Sequence, residues 1–410
     1  MTEASLDNKR LPDIKEKIDD FESFLSEAVY NLRGYVVSRH FIPSTASRSL
    51  TMFKLLKNSR FHYTVVSQYI LNNKWMYNAK SSLAAQNIDQ LISTDENNWE
   101  NFVVSNFIEM NKLNKFDFVI TCVMPPFDHK IGLDIKSKNP DVFWIALWSD
   151  PVAYSPYADK AGDFDNPQEI KKKNYENEIF KNADLLIFTN HHQLVFMLDK
   201  EFDKWSSKSI VVHHGYDESY YPNMNIKKDT EKIVLAYIGH MDEHRNLYEL
   251  AEGVRLSKFK DRFEVRLIGH VPDEQLQFLR ENGLDHIFHY YGELSWQECL
   301  VEMKKCDVLI SMDPKYKNMD YSQQMSSKIA DYLGSKKPVL FMSFEKGISA
   351  DVAKVTGNKL IQNEKCAISE TLDDIAVFGV WSPNLEGYDV FNAKNVARDM
   401  DQEISKRLIK

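Results

Sequence analysis

The sequence predicts an α/β protein built from two doubly wound parallel sheets that face each other across a cleft. Three observations predict it. The chain has 410 residues, too many for one ordinary hydrophobic core, so two domains are expected. Short apolar runs alternate with segments of helical periodicity from residue 34 to residue 214, the pattern of a parallel sheet with helical crossovers. After a polar, charged link, the same alternation starts afresh at residue 232.

In the first half, Ile14, Ile18, Phe21, Leu25 and Ala28 recur at helical spacing, so an amphipathic helix is expected within residues 12–30. GYVVS (34–38) reads as the first strand and SLTMFKLLK (49–57) as the helix after it. Further strands are expected at YTVVS (63–67), FDFVITCV (116–123), VFWIALWS (142–149), ADLLIFTN (183–190) and SIVVHH (209–214). Helices fall between them at 100–112, 129–138, 167–182 and 191–203. HHGYDESYYPNMNIKKDTEK forms the link.

The second half places strands at KIVLAYIG (232–239), FEVRLIG (263–269), HIFHYYG (286–292), CDVLISM (306–312) and KPVLFMS (337–343). Its helices are expected at 246–257, 272–282, 295–304 and 326–333. VFNAKNVARDMDQEISKRLIK reads as a last helix that packs back across the domains. The expected division is 1–219, 220–390 and a closing helix in 391–410. Ligands of open α/β sheets bind at the carboxyl ends of the strands, here in the cleft between the two sheets.

Composition narrows the class. With 43% hydrophobic and 27% charged residues and only 14 glycines and 13 prolines, the chain is that of a folded globular protein. No apolar run is long enough to span a bilayer, and the polar start MTEASLDNKR is not a signal peptide, which suits a cytoplasmic protein. Cys122, Cys299, Cys306 and Cys366 lie far apart, so neither a zinc site nor a disulfide framework is expected. A net charge of −9 argues against nucleic acid as a partner.

That charge is uneven. No acid occurs between Glu27 and Asp89, whereas Arg33, Arg39, Arg48, Lys54, Lys57, Arg60, Lys74 and Lys80 all fall there, interleaved with aromatic residues. The stretch reads either as a solvated basic face over an aromatic core or as a patch, residues 33–80, that rests on anionic lipid at the inner face of the membrane or holds an anionic acceptor.

The most informative segment is SSKIADYLGSKKPVLFMS. Ser326 and Ser327 are N-cap types, Gly334 fits a C′ position and PVLFMS is a buried strand. Lys328 in the first helical turn opposes the helix dipole unless an anion sits at the helix mouth. Asp331, one turn on, either pairs with Lys328 or accepts hydrogen bonds from ribose hydroxyls. In YIGHMDEHRNL, Gly239 ends a strand and permits close backbone approach, and Arg245 precedes the next helix, where a guanidinium clamps a diphosphate. No GxGxxG is present, so no nicotinamide or flavin cofactor is expected.

The order strand–YIGxxxxxRNL–helix, RLIGH, YYGELSWQECLVEMKKCDVLIS, SSKIADYLGSKKPVL resembles the donor domain of GT-B glycosyltransferases, most of all the retaining family 4. HHGYDESYY, with Gly215 and Asp217, is similar to the phrase that closes the family's acceptor domain. ITCVMPPFDHKIGLDIK with WIALWSDP resembles the acceptor half of bacterial polysaccharide-assembly members. The resemblance implies two Rossmann-like domains and transfer of a sugar from a nucleotide-diphosphate sugar to a hydroxyl of a polysaccharide or glycolipid precursor. It also implies retention of configuration and no metal.

Residue by residue, it implies Gly239, Arg245, Ser327 and Lys328 at the donor diphosphate and Asp331 at the ribose. Gly292 and Glu293 would lie near the nucleobase, and Asp150 and His129 would be catalytic residues of the cleft. The family's first acid, eight residues before Asp331, is replaced by Gln323, near the transferred sugar. That departure keeps open a non-catalytic sugar- or partner-binding subunit, and the shared architecture keeps open a nucleotide-sugar epimerase. His191–His192 and His213–His214 lack a third metal ligand, and DFD (163–165) has no buried strand before it to fix a metal.

Overall fold

A computed structural model describes residues 32–68, 85–95, 97–123, 128–155, 166–222, 226–315 and 320–408. The helix expected within 12–30, the DFD acids, Lys74 and Lys80 lie outside the described residues. The first sheet contains β1 (Arg33–Val37), β2 (His62–Gln68), β3 (Ile88–Ser93), β4 (Phe118–Cys122), β5 (Phe143–Trp148), β6 (Leu185–Phe188) and β7 (Ser209–Val211). They run parallel in the order β3-β2-β1-β4-β5-β6-β7. The second sheet contains β8 (Ile233–Ile238), β9 (Phe263–Ile268), β10 (Phe288–Gly292), β11 (Val308–Met312), β12 (Val339–Met342) and β13 (Lys359–Ile361). It is parallel too, in the order β10-β9-β8-β11-β12-β13.

Strands such as FVITC and VLISM are buried along their whole length, because helices cover both faces of each sheet. Each sheet accordingly has one apolar core on either face. In both sheets the strand order reverses beside the first strand, so the loops after β1 and β4, and after β8 and β11, open a crevice. Most residues of the candidate site lie on or close to those loops.

Several sequence expectations needed correction. Strand β3 had no counterpart, because IDQLIS is an edge strand without an apolar run and is partly exposed over all but its last residue. The helices Ile348–Val355 and Lys365–Phe378, and the three-residue β13 between them, were likewise unassigned. The helix expected over 191–203 stops at Leu198, where Asp199 takes a φ of 44°. Gly334 is not the positive-φ stop of its helix; Lys336 is, at φ 60°. Gly334 is small for another reason: a Cβ there would lie 2.3 Å from the Tyr221 hydroxyl.

The last helix, Ala393–Leu408, packs back onto the first domain. Val396, Ala397, Met400 and Ile404 enter that domain's core, and buried Asp401 accepts from the Ser59 hydroxyl and the Arg60 amide at 2.7 and 2.8 Å. Tyr216 forms a bridge with Asn392, so two crossings of the chain lie side by side. A Cβ on Gly215 would meet the Ala393 backbone at 2.8 Å, which accounts for the glycine.

The acid-free stretch has a clear structural account. Arg39 pairs with Asp128 at 2.8 Å, Arg48 with Asp150 at 2.5 Å, Lys54 with Asp331 at 2.6 Å and Lys57 with Asp217 at 2.8 Å. The Arg60 guanidinium lies 3.8 Å from Asp401. The cations of one segment thus find their acids elsewhere in the fold, and these five charges are neutralised within the chain. Among the described residues no helix is long and apolar enough to cross a membrane.

Candidate functional site

Helix Ser327–Gly334 starts without a side-chain cap: the N-cap Ser326 makes no such bond and the first turn contains no acid. Its free N–H groups and dipole therefore face the cleft unneutralised. Ser327 Oγ lies 2.7 Å from Ser47 Oγ, at the start of helix Ser47–Lys57 in the opposite domain. Lys328 folds back over the end of β8. A Cβ on Gly239 would fall 1.8 Å from its Nζ, so the glycine makes room for the lysine amine.

Among the described residues no carboxylate pairs with Lys328. Burial, and next the Arg245 guanidinium, push its pKa down to about 7. Arg245 is fixed by Nε donating to the Met312 carbonyl at 2.9 Å and by its amide donating to Asp242 Oδ1 at 2.7 Å. Two cations side by side at an uncapped helix mouth form a site for a polyanion.

Lys328 and Ser327 stand where two cavities meet. One, of about 360 Å³, is lined by Gly239, Gly269, Glu293, Trp296 and Asp331 and roofed by Lys54 from the first domain. The other, of about 230 Å³, is lined by Arg48, Asp150, His214, Arg245 and Gln324. A larger cavity of about 600 Å³ beyond the ends of β11–β13 contains none of the predicted site residues. Gly292 ends β10 with a φ of 70°, and the Glu293 carboxylate lies 3.6 Å from His240 Nε2 at the rim of the 360 Å³ cavity.

Asp331 does not pair with Lys328. Its Oδ1 accepts from Lys54 Nζ at 2.6 Å and from the Tyr221 hydroxyl at 3.1 Å, and its Oδ2 accepts from Trp296 Nε1 at 3.1 Å. The expected ribose acid is thus also a strut between the domains.

Asp150 stands at the end of β5, facing the 230 Å³ cavity. Arg48 Nη2 donates to it at 2.5 Å, the Ser149 hydroxyl at 2.9 Å and Gln324 Nε2 from the other domain at 3.2 Å. The loop behind it is pinned by buried Glu176, which accepts from the amides of Val152 and Ala153 at 2.8 and 2.9 Å. His214 lines the same cavity, its pKa lowered to about 4 chiefly by burial, so it is a neutral imidazole at pH 7.

His129 is elsewhere. It is fully buried, its Nδ1 2.7 Å from Thr121 Oγ1 and its ring 4.3 Å from that of Trp148, and burial lowers its pKa to about 3. It supports β4 and β5 from beneath and lines neither cavity. Gln323 is also turned away: its Oε1 accepts from the Tyr321 hydroxyl at 3.4 Å, its carbonyl from Asn190 at 3.2 Å, and only Gln324 reaches the cavity. Gln324 had no place in the sequence reading, Arg48 entered it only as one cation of the basic stretch, and His214 only as half of a histidine pair weighed against metal. For Arg48 one signal was present, its place at the start of the first helix after β1, beside the topological switch point.

The geometry can be set against solved structures. The fold is similar to HepE of Anabaena, solved in complex with UDP and glucose, with a TM-score of 0.65, 10% identity, and coverage of 92% of this chain and 100% of that one. It is similar to sucrose-phosphate synthase of Thermosynechococcus elongatus, with a TM-score of 0.64 at 12% identity over 92% and 98% of the two chains. It is also similar to a candidate UDP-N-acetylglucosamine 2-epimerase of Listeria monocytogenes, with a TM-score of 0.58 at 13% identity over 92% and 96%. No protein-family model matches the chain, and no curated protein matches its sequence. The fold is GT-B, with two Rossmann-like domains facing across the cleft.

Proposed function

We propose that the protein is a glycosyltransferase that moves a sugar from a nucleoside-diphosphate sugar to a hydroxyl acceptor, with retention of configuration and without a metal ion. The observation that carries this reading is Lys328: a desolvated amine beside Arg245, at an uncapped helix mouth, with no carboxylate paired to it among the described residues. The diphosphate belongs there. Its nucleoside fits the 360 Å³ cavity, with Asp331 and Trp296 beside the ribose and Glu293 at the base. Its sugar projects into the 230 Å³ cavity toward Asp150.

In the reaction the bond from the anomeric carbon to the diphosphate oxygen breaks, and a bond to the acceptor oxygen forms on the same face. The acceptor proton passes to the departing phosphate oxygen. Arg245, Lys328 and the helix dipole take up the charge that develops on that oxygen. Asp150, paired with Arg48 at 2.5 Å, stabilises positive charge on the sugar ring. A polysaccharide or glycolipid precursor in bacterial cell-surface assembly is the acceptor class we favour, with the protein acting in the cytoplasm. The epimerase among the structural neighbours supports a second reading, conversion of the donor without an acceptor.

The test is calorimetric titration with UDP, GDP, CDP and dTDP in EDTA, on the protein and on Lys328→Ala and Arg245→Ala. One nucleotide is expected to bind without metal and to lose about tenfold to a hundredfold in affinity with either variant. Absence of binding by all four would overturn the reading. HepE, solved with UDP, makes UDP the first to try.

A proton linkage should accompany binding. A phosphate against the Lys328 amine raises a pKa that stands near 7 in the free protein, so binding takes up a proton wherever the free amine is neutral. Calorimetry with the sugar conjugate, in buffers of different ionisation enthalpy, should show uptake approaching about one proton above pH 8 and fading below pH 6. Equal uptake at both ends, or uptake retained in Lys328→Met, would contradict it.

A further inference from the structure

The 600 Å³ cavity beyond the ends of β11, β12 and β13 is the largest of the three described, and the donor-site reading makes no use of it. It lies outside the carboxyl ends of parallel strands, where open α/β sheets take their ligands. One of its lining residues, Asp313, is only 6% exposed. Its Oδ2 accepts from the Ser343 hydroxyl at 2.5 Å and from the Ser349 hydroxyl at 2.6 Å, which fixes the carboxylate. Its Oδ1 accepts no hydrogen bond among the described residues, and it is not occluded from solvent. Of the three cavities Asp313 lines this one alone, so the open oxygen faces it.

An ionised carboxylate oxygen only accepts, so the group that completes Asp313 must donate. That excludes phosphates and carboxylates at this point. The surrounding charges narrow the class further. Asp313, Asp320, Glu345 and Glu364 line the cavity together with Lys315 and Lys346. A polyanion meets four acids there, and a polycation meets two lysines. Hydroxyl groups both donate and accept, so a neutral polyol suits both kinds of neighbour. Phe344, half-buried in the same lining, offers an apolar surface for the C–H face of a ring.

We propose that this cavity is a carbohydrate-binding site, separate from the nucleotide site, that takes an uncharged unit of an oligosaccharide with one hydroxyl donating to Asp313 Oδ1. It does not rest on the donor-site reading. The cavity is nevertheless fastened to the cleft. Ser322 pairs with Gly347, its amide donating to the Lys346 carbonyl at 3.1 Å and its carbonyl accepting from the Ile348 amide at 2.8 Å. A Cβ on Gly347 would fall 2.1 Å from the Ser322 carbonyl oxygen, so this close crossing needs the glycine. The loop that carries Phe344 and Glu345 is thereby tied to the segment that leads into helix Ser327–Gly334.

The experiment exposes the full chain to an array of immobilised oligosaccharides, neutral, amino-bearing and anionic, and then titrates the strongest neutral one by calorimetry. Neutral oligosaccharides are expected to be retained, and Asp313→Ala and Phe344→Ala each to weaken the titrated one about tenfold or more. Lys328→Ala is expected to leave glycan affinity unchanged, and Phe344→Ala to leave nucleotide affinity unchanged. Retention of charged oligosaccharides only, or of none, overturns the proposal. So does glycan binding that either folded cavity variant leaves unmoved, or that Lys328→Ala weakens as much as they do. A melting curve shows whether Asp313→Ala folds; if it does not, Phe344→Ala, on the loop after β12, decides alone. If glycans bind as expected and no nucleoside diphosphate does, the donor site falls and this site stands.

Discussion

Lys328→Met is expected to weaken nucleotide binding about a hundredfold and, in the same protein, to raise the melting temperature of the ligand-free state. The two effects share a cause. In the free protein the amine is held against Gly239 and near Arg245, where burial first and the neighbouring guanidinium second disfavour its charge. The folded pKa, about 7, lies below the unfolded lysine value of about 10.4. Below pH 7 the destabilisation is complete. As the pH rises from 7 toward 10, the unfolded chain binds more protons than the folded one, so the wild type gains stability. Above that window nothing is left of the difference. The melting temperatures of wild type and Lys328→Met should therefore lie furthest apart near pH 6.5 and come together only as the pH passes about 10.5. A variant that melts lower than wild type at pH 6.5 would show that the amine has a partner in the ligand-free fold.

The second large effect concerns the ion pair of Lys54 and Asp331 that joins the domains at the 360 Å³ cavity. Asp331→Ala would strand Lys54, whose side chain is only 4% exposed, against the indole of Trp296 at 5.3 Å. Removing one partner of a buried ion pair costs about 3–5 kcal/mol, because the remaining charge stays desolvated. The urea midpoint of the first unfolding transition should fall accordingly. Lys54→Met with Asp331→Leu removes both charges, and most of the loss should be recovered. A double variant no more stable than Asp331→Ala would place the cost in the bonds from Tyr221 and Trp296 instead. Lys54→Met alone separates the ion pair from the proposed ribose contact, since it keeps the Asp331 carboxylate while removing its lysine partner.

The parts of this fold that could be read in advance are those whose signals are local. Helix Pro167–Asn182 was placed to the residue because Asn166 caps it through the Gln168 amide and Pro167 opens it. The buried strands announce themselves as apolar runs. Strand β3 does not, because an edge strand keeps its polar residues, and β13 is three residues long. At the site, Gly239, Arg245, Ser327 and Lys328 were legible from a strand end and a helix start. The partners of Asp150 were not: Arg48 lies 102 residues away and Gln324 174, and no local pattern marks either contact. Gln323 was named from the spacing of the family's two acids; in the structure its side chain meets Tyr321, and the neighbouring Gln324 lines the 230 Å³ cavity.

The return of the last helix to the first domain has a consequence for the order of events during synthesis. The first sheet is complete once residue 211 has been made, but the residues that close one side of its core, Val396, Met400 and Ile404, arrive nearly two hundred residues later. Ser59 and Arg60 wait as long for Asp401. A nascent chain that has left the ribosome through the second sheet still carries a first domain with an open apolar flank. The two halves therefore cannot mature one after the other, and the domain made first is the one finished last.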